Sequence, residues 1–260
     1  MLAEEISKLA SQGRSCFSFD QLSQWVGSSS PDALKSALRR LLKKGQIAMP
    51  LRGFYIIVPP EYRALGSLPA EQFIPDLMTH LGEVYYAGLL TAAAYHGAAH
   101  HRPQVFQAVV AKPRRSIQCG KVKVDFVVRK NAQEIPIQTR NTPTGILQLS
   151  TPESTAFDLV GYVKQCGGLD NVATVLAELA EKLDIGKILE VAELSPISWS
   201  QRLGYLLEVV EATAVSEAMA EYVESKMPVR TPLLPSSSIQ GAKTNNRWKV
   251  FVNTEVESEV

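Results

Sequence analysis

Residues 30–58 constrain the fold more than any other stretch. Ser30-Pro31-Asp32 reads as a helix start: a serine cap, a proline at the first helical position, and an acid where the helix dipole favours one. At about 100° per residue, Leu34, Ala37, Leu38, Leu41 and Leu42 fall within an arc of about 140°. Lys35, Ser36, Arg39, Arg40 and Lys43 cover the opposite side. The spacing predicts a helix from Pro31 to about Lys44, stopped by Gly45, with one face that packs and one that is cationic. Two β-forming runs follow at once, Gln46–Met49 and Phe54–Val58, with Pro50-Leu51-Arg52-Gly53 as the turn between them.

Upstream, Leu2, Ile6 and Leu9 place one apolar face on a first helix. Asp20 is positioned to cap a second, short helix carrying Leu22, Trp25 and Val26, which Gly27 ends. Three helices followed by a two-stranded wing is the order of a winged helix-turn-helix domain. In that arrangement the third helix enters the major groove of double-stranded DNA and its early exposed residues meet base edges. Here those are Ser29, Lys35, Ser36 and Arg39. Arg40, Lys43 and Lys44 are placed for phosphates, which fix register without reading sequence, and Arg52 at the wing tip for backbone or minor groove. Taken alone, the cationic helix is an ordinary solvated face. The complete element order favours DNA, with a protein-docking winged helix as the alternative.

Charge sharpens this. The chain has 27 basic and 26 acidic side chains, a net +1 that argues for nothing. Residues 1–150 hold 18 basic against 10 acidic, residues 151–230 hold 6 against 13, and residues 231–260 hold 3 of each. The basic front divides evenly, with 9 against 5 in residues 1–63 and again in residues 64–150. A polyanion-binding front and an acidic back are the expectation. Lys112, Arg114 and Arg115, with Lys121 and Lys123, would extend the DNA footprint beyond the wing.

A length of 260 residues suits one large domain or two smaller ones. Pro59-Pro60 and Gly66-Ser67-Leu68-Pro69 mark a boundary. The fold class is therefore α+β: an N-terminal winged helix-turn-helix domain over 1–63, then a mixed α/β C-terminal domain over 64–260 ending in acidic helices. Within the second part, residues 70–98 read as helical in two pieces split near Gly82, and Val105–Ala111 and Lys121–Arg129 as strands. In the latter, Val122, Val124, Phe126 and Val128 alternate with Lys121, Lys123, Asp125 and Val127, the period of a half-buried strand. Thr151-Pro152-Glu153-Ser154 starts a helix that Gly167-Gly168 ends. Residues 169–183, 185–194 and 199–226 read as acidic amphipathic helices, 228–247 as a loop, and Arg247–Val252 as a last strand.

Several classes are excluded. The longest apolar run, Val84–Ala99, is interrupted by Gly88, His96 and Gly97, so no segment suits a membrane span. MLAEEISKLA has two acids and no cationic start, unlike a secretory signal. Cys16, Cys119 and Cys166 form no CxxC pair or disulfide framework, which fits buried thiols in a reducing cytosol. His96 and His100 have the i, i+4 spacing of metal ligands, but no carboxylate accompanies them and Gly97 lies between, so no metal or cofactor is expected. There is no P-loop, GxGxxG, GxSxG or DxD, and Asp125 lacks the downstream acid-x-Lys of a nuclease.

A second set of blocks carries a resemblance. They are Leu51-Arg52-Gly53-Phe54-Tyr55-Ile56, the stretch Tyr85–Ala98 (YYAGLLTAAAYHGA), His101-Arg102-Pro103, Lys112-Pro113-Arg114-Arg115, and Ser150–Val160 (STPESTAFDLV). Together these resemble the AbiEi antitoxins of type IV toxin–antitoxin systems over about the first 165 residues, and more loosely beyond. The resemblance implies a bacterial, cytoplasmic, non-enzymatic regulator that represses its own operon by binding promoter DNA at repeats through the winged helix. It implies a functional partner that is a nucleotidyltransferase-like toxin, opposed without a stable complex. Two rivals stand beside it: a ligand-responsive winged-helix transcription factor without an antitoxin role, and a metal-dependent nucleic-acid enzyme using Asp125.

Overall fold

A computed structural model describes residues 2–27, 30–98 and 103–256. They group into two compact units, one drawn from Met1–Ala87, Gln104–Gln133 and Thr139–Gln148, the other from Gly88–Pro103, Glu134–Gln138 and Leu149–Val260.

The first unit begins with α1 (Leu2–Ser11), β1 (Cys16–Ser18), α2 (Phe19–Val26), α3 (Pro31–Lys43), β2 (Ile47–Leu51) and β3 (Phe54–Ile57). The three strands make one antiparallel sheet in the order β1-β3-β2. Its apolar core draws one to three residues from each element: Ile6, Phe17, Leu22, Leu34, Leu38, Leu41, Ile47, Tyr55 and Ile57. Phe17 and Tyr55 stack across the sheet at 5.3 Å. The winged-helix order holds, with local differences. The cap of α2 is Ser18, not Asp20: its hydroxyl accepts from Gln21 N at 3.1 Å while Gln21 Oε1 accepts from Ser18 N at 2.8 Å. Pro50 and Leu51 belong to β2, so the turn shortens to Arg52-Gly53, with Gly53 at φ +84°.

The same unit continues with α4 (Ala70–Leu81), β4 (Tyr85–Ala87), β5 (Val105–Val110), β6 (Ile117–Cys119), β7 (Val122–Val128), β8 (Ile137–Thr142) and β9 (Gly145–Ser150), the last two strands reaching into the second unit. They form a six-stranded mixed sheet, β6-β7-β5-β4-β9-β8, with β5 and β7 parallel. The expected second helical piece of 70–98 is in fact β4 followed by a short helix. Tyr85, Tyr86 and Ala87 pair with Val110, Val109 and Ala108, and this non-local pairing overrides the helical spacing. The alternation expected in β7 also fails. Val124 and Val127, on opposite faces, are both buried, because β7 is an interior strand.

The second unit holds α5 (Leu89–Tyr95), α6 (Pro152–Gly161), α7 (Leu169–Ala180), α8 (Ile185–Glu193), α9 (Ile197–Val209), α10 (Thr213–Lys226) and a small sheet of β10 (Thr231–Pro232), β11 (Lys243–Asn245) and β12 (Val250–Val252). The central helix is α6, buried from Glu153 through Val160. The single helix expected over 199–226 is two helices, broken where Glu211 takes φ +60°. The break lets α10 fold back and pack on α9, a tertiary gain that sequence periodicity does not register. Two short strands, β10 and β11, lie in the expected loop, and Trp248 is fully buried as part of the core.

Candidate nucleic-acid interface

The helix α3 is built as its spacing dictates. Ser30 Oγ accepts from Ala33 N at 3.3 Å, Pro31 occupies the first turn, and Leu34, Leu38 and Leu41 are 4%, 1% and 7% exposed. Burying those three leucines orients the rest of the helix: Lys35, Ser36, Arg39, Arg40, Lys43 and Lys44 are all exposed. Lys35 has one neighbouring charge, Asp32 at 3.7 Å, an exposed pair that leaves the ammonium available to solvent. Arg52 is exposed at the β2–β3 turn. Of the four expected base-contacting positions, Ser29 lies outside the described residues.

The cations after β5 separate into two kinds. Lys112 and Arg115 are exposed. Arg114 is half-buried and committed to Glu83, with Nε–Oε2 at 2.6 Å and Nη2–Oε1 at 2.8 Å. That bidentate bond holds the Glu83 carboxyl below its ordinary range and raises the Arg114 guanidinium further. On β7, Lys123 pairs with Asp125 at 3.2 Å, while Lys121 is exposed. Asp125 is thus tied to its own strand, and no cluster of three metal-ligating side chains occurs among the described residues. His96 is occupied too: its Nε2 lies 2.9 Å from the carbonyl oxygen of Ser150, and His100 is outside the described residues.

Sequence spacing missed a second feature of this unit. The Arg14 guanidinium sits 5.0 Å over the Trp25 ring, across β1 and eleven residues away. Beside it is a cavity of about 440 Å³ lined by Cys16, Asp76, His80 and Thr144 among others. Burial pushes the Asp76 carboxyl up, against its hydrogen bond to Cys16 and the charge of Arg14. Only the tertiary meeting of α4 with β1 creates this site, so no local pattern announces it.

In the second unit the Ser150–Val160 block serves packing. Thr151 Oγ1 caps α6 at Ser154 N (3.2 Å), Ser154 Oγ donates to the carbonyl of Pro136 (2.8 Å), and Ser150 and Thr155 share a hydroxyl bond of 2.7 Å. Glu153 Oε1 accepts from Asp184 N at 3.0 Å. These bonds satisfy the Ser154 and Thr155 hydroxyls and the Oε1 of Glu153, all of which α6 carries into the core.

A three-helix module with a two-stranded wing and an outward cationic third helix defines a winged-helix protein, here joined to a helical second unit. The chain belongs to the AbiEi antitoxin family: residues 4–58 match the family described as "Transcriptional regulator, AbiEi antitoxin", and residues 86–209 match "AbiEi antitoxin C-terminal domain". The family is regulatory. Its fold is similar to that of the RV2827C protein from Mycobacterium tuberculosis, with a TM-score of 0.69 over 95% of this chain and 89% of that one, at 16% identity. No curated protein matches the chain. No helix among the described residues is long and apolar enough to cross a membrane.

Proposed function

We propose that this chain is the antitoxin of a type IV toxin–antitoxin system and the repressor of its own operon, acting in the cytoplasm. The observation that carries the DNA half of the reading is the division of α3: three leucines in the core, with Lys35, Ser36, Arg39, Arg40 and Lys43, and Lys44 at its end, outward. In this reading Lys35, Ser36 and Arg39 meet base edges of promoter repeats. Arg40, Lys43, Lys44 and Arg52 hold phosphates, and Lys112, Arg115 and Lys121 lengthen the phosphate track. Arg114 supports that track by anchoring its loop to Glu83. The antitoxin half rests on family membership: the chain opposes a nucleotidyltransferase-like toxin without a stable complex and without chemistry of its own.

A promoter–reporter fusion and co-expression with the neighbouring gene product test the two halves separately. The full chain should silence the reporter and restore growth. An unaffected reporter contradicts autorepression, and unrelieved growth arrest contradicts the antitoxin role. The cavity beside Arg14 and Asp76 supports a second reading, in which a small polar effector tunes DNA binding. Release of promoter DNA by a metabolite extract, lost in Asp76→Asn, is its signature.

A further inference from the structure

The cavity where α4 meets β1 is lined by two kinds of group. Arg14 and Gln21 offer donors. The Arg14 guanidinium sits over the Trp25 ring at 5.0 Å, and among the described residues its side-chain N–H groups have no acceptor. Gln21 commits its Oε1 to Ser18 N at 2.8 Å, so its amide nitrogen is the end left to donate. Asp76, Thr79 and Thr144 offer acceptors. The Asp76 carboxylate takes one hydrogen bond, from the Cys16 thiol. The Thr79 hydroxyl donates to the carbonyl of Pro75 at 2.9 Å and the Thr144 hydroxyl to that of Gln72 at 2.7 Å, so each oxygen is left as an acceptor alone. His80, the remaining ionisable side chain of the lining besides Cys16, packs on the Phe54 ring at 5.3 Å. One cation and one carboxylate thus share a cavity of about 440 Å³, within the range of small-molecule sites, and no ion pair joins them among the described residues.

We propose that this cavity binds a free α-amino acid as its zwitterion, the carboxylate on Arg14 and Gln21 and the ammonium on Asp76, Thr79 and Thr144. The proposal rests on the effector reading of the same cavity and gives that effector its chemical class. A guanidinium takes a carboxylate through two parallel N–H bonds, and an ammonium has three N–H donors for the three acceptors. An inorganic anion meets the charge of Asp76, and a bare cation meets that of Arg14; a dipolar solute satisfies both. Partial burial pushes the Asp76 carboxyl up, a cost that a bound ammonium offsets. Arg14, Gln21, Asp76 and Thr79 all reach solvent, so a dissolved amino acid has access. The donors also connect the cavity to the winged helix. Gln21 belongs to the capping box of α2, Arg14 rests on Trp25 of the same helix, and Leu22 of α2 shares a core with Leu34 and Leu38 of α3.

The test is a calorimetric titration of the full chain with the common L-amino acids, one at a time, and with acetate and methylammonium as the separate halves. At least one amino acid should bind saturably, and about tenfold or more tighter than either half. Arg14→Gln and Asp76→Asn should each weaken that binding by about tenfold or more. Lys8→Gln, at an exposed cation elsewhere in the same unit, should leave it as it is. All three substituted side chains are exposed, and circular dichroism checks that each variant stays folded. Absence of saturable binding by any amino acid overturns the proposal. So does binding that acetate or methylammonium matches, or that either cavity variant leaves intact. Promoter titration with and without the bound amino acid judges the effector reading separately. Binding with promoter affinity unchanged upholds the ligand and contradicts the effector role. Release of promoter by a metabolite extract when no amino acid binds upholds an effector and overturns this ligand.

Discussion

Arg114 grips Glu83 through two parallel hydrogen bonds of 2.6 and 2.8 Å, fastening the loop after β5 to the segment that leads into β4. The same loop presents Lys112 and Arg115 to solvent. One of three neighbouring cations thus holds the loop, and the other two are left for a polyanion.

Arg114→Ala should therefore cost about 1 kcal/mol of stability, the upper range for a pair that solvent partly screens. The pair lowers the folded-state value of Glu83 from its ordinary 4.5. Its stabilisation is then complete above that ordinary value and lost as pH falls below it, through the folded value. Urea unfolding at neutral and at acid pH should show the difference between wild type and Arg114→Ala shrinking towards acid. A constant difference contradicts the assignment.

Ser30→Ala removes the hydroxyl that accepts from Ala33 N and should cost about 1 kcal/mol. Because this cap sets the start of α3, the same variant should bind promoter DNA less tightly. Thermal unfolding and a binding titration read the two effects.

Gly204→Ala should destabilise by about 1–3 kcal/mol, because a Cβ there runs into the buried Trp248 ring. The rigid indole is fixed at its other end by its Nε1–H bond to Glu208. Denaturant midpoints test this, and a midpoint equal to wild type refutes the packing described for α9 and Trp248.

All three cysteines are free, and burial raises each thiol above its ordinary value. Thiolate is the reactive form, so the native chain at pH 8 should react with a disulfide reagent far more slowly than the unfolded chain. Rapid labelling of Cys119 or Cys166 in the native state contradicts the burial of that thiol.

The winged helix was legible in the sequence because its information is local. Ser30, Pro31 and the leucine spacing define α3 without reference to the rest of the chain, and Gly53 marks the wing turn. What the sequence hides is non-local. Strand β1 is only Cys16–Ser18 and exists through its pairing with Phe54–Ile56. Strand β4 is made by Ala108–Val110, against the helical look of its own residues. The break between α9 and α10 carries neither glycine nor proline at Glu211. The site follows the same division. The outward row of α3 could be read directly from period and charge. The commitment of Arg114 to a carboxylate 31 residues away could not, nor could the stacking of Arg14 on Trp25.

The central claim is that α3 reads promoter DNA, and one titration tests it most directly. The full chain and its Arg39→Ala, Arg40→Ala double variant are compared on a fragment of their own promoter at several salt concentrations. Wild-type affinity should fall steeply with salt, with a slope of about −5 if some six phosphates are neutralised. The double variant should bind more weakly by about 1–3 kcal/mol or more, with a shallower slope and less preference for the promoter over unrelated DNA. Unchanged promoter affinity in the double variant would contradict the account.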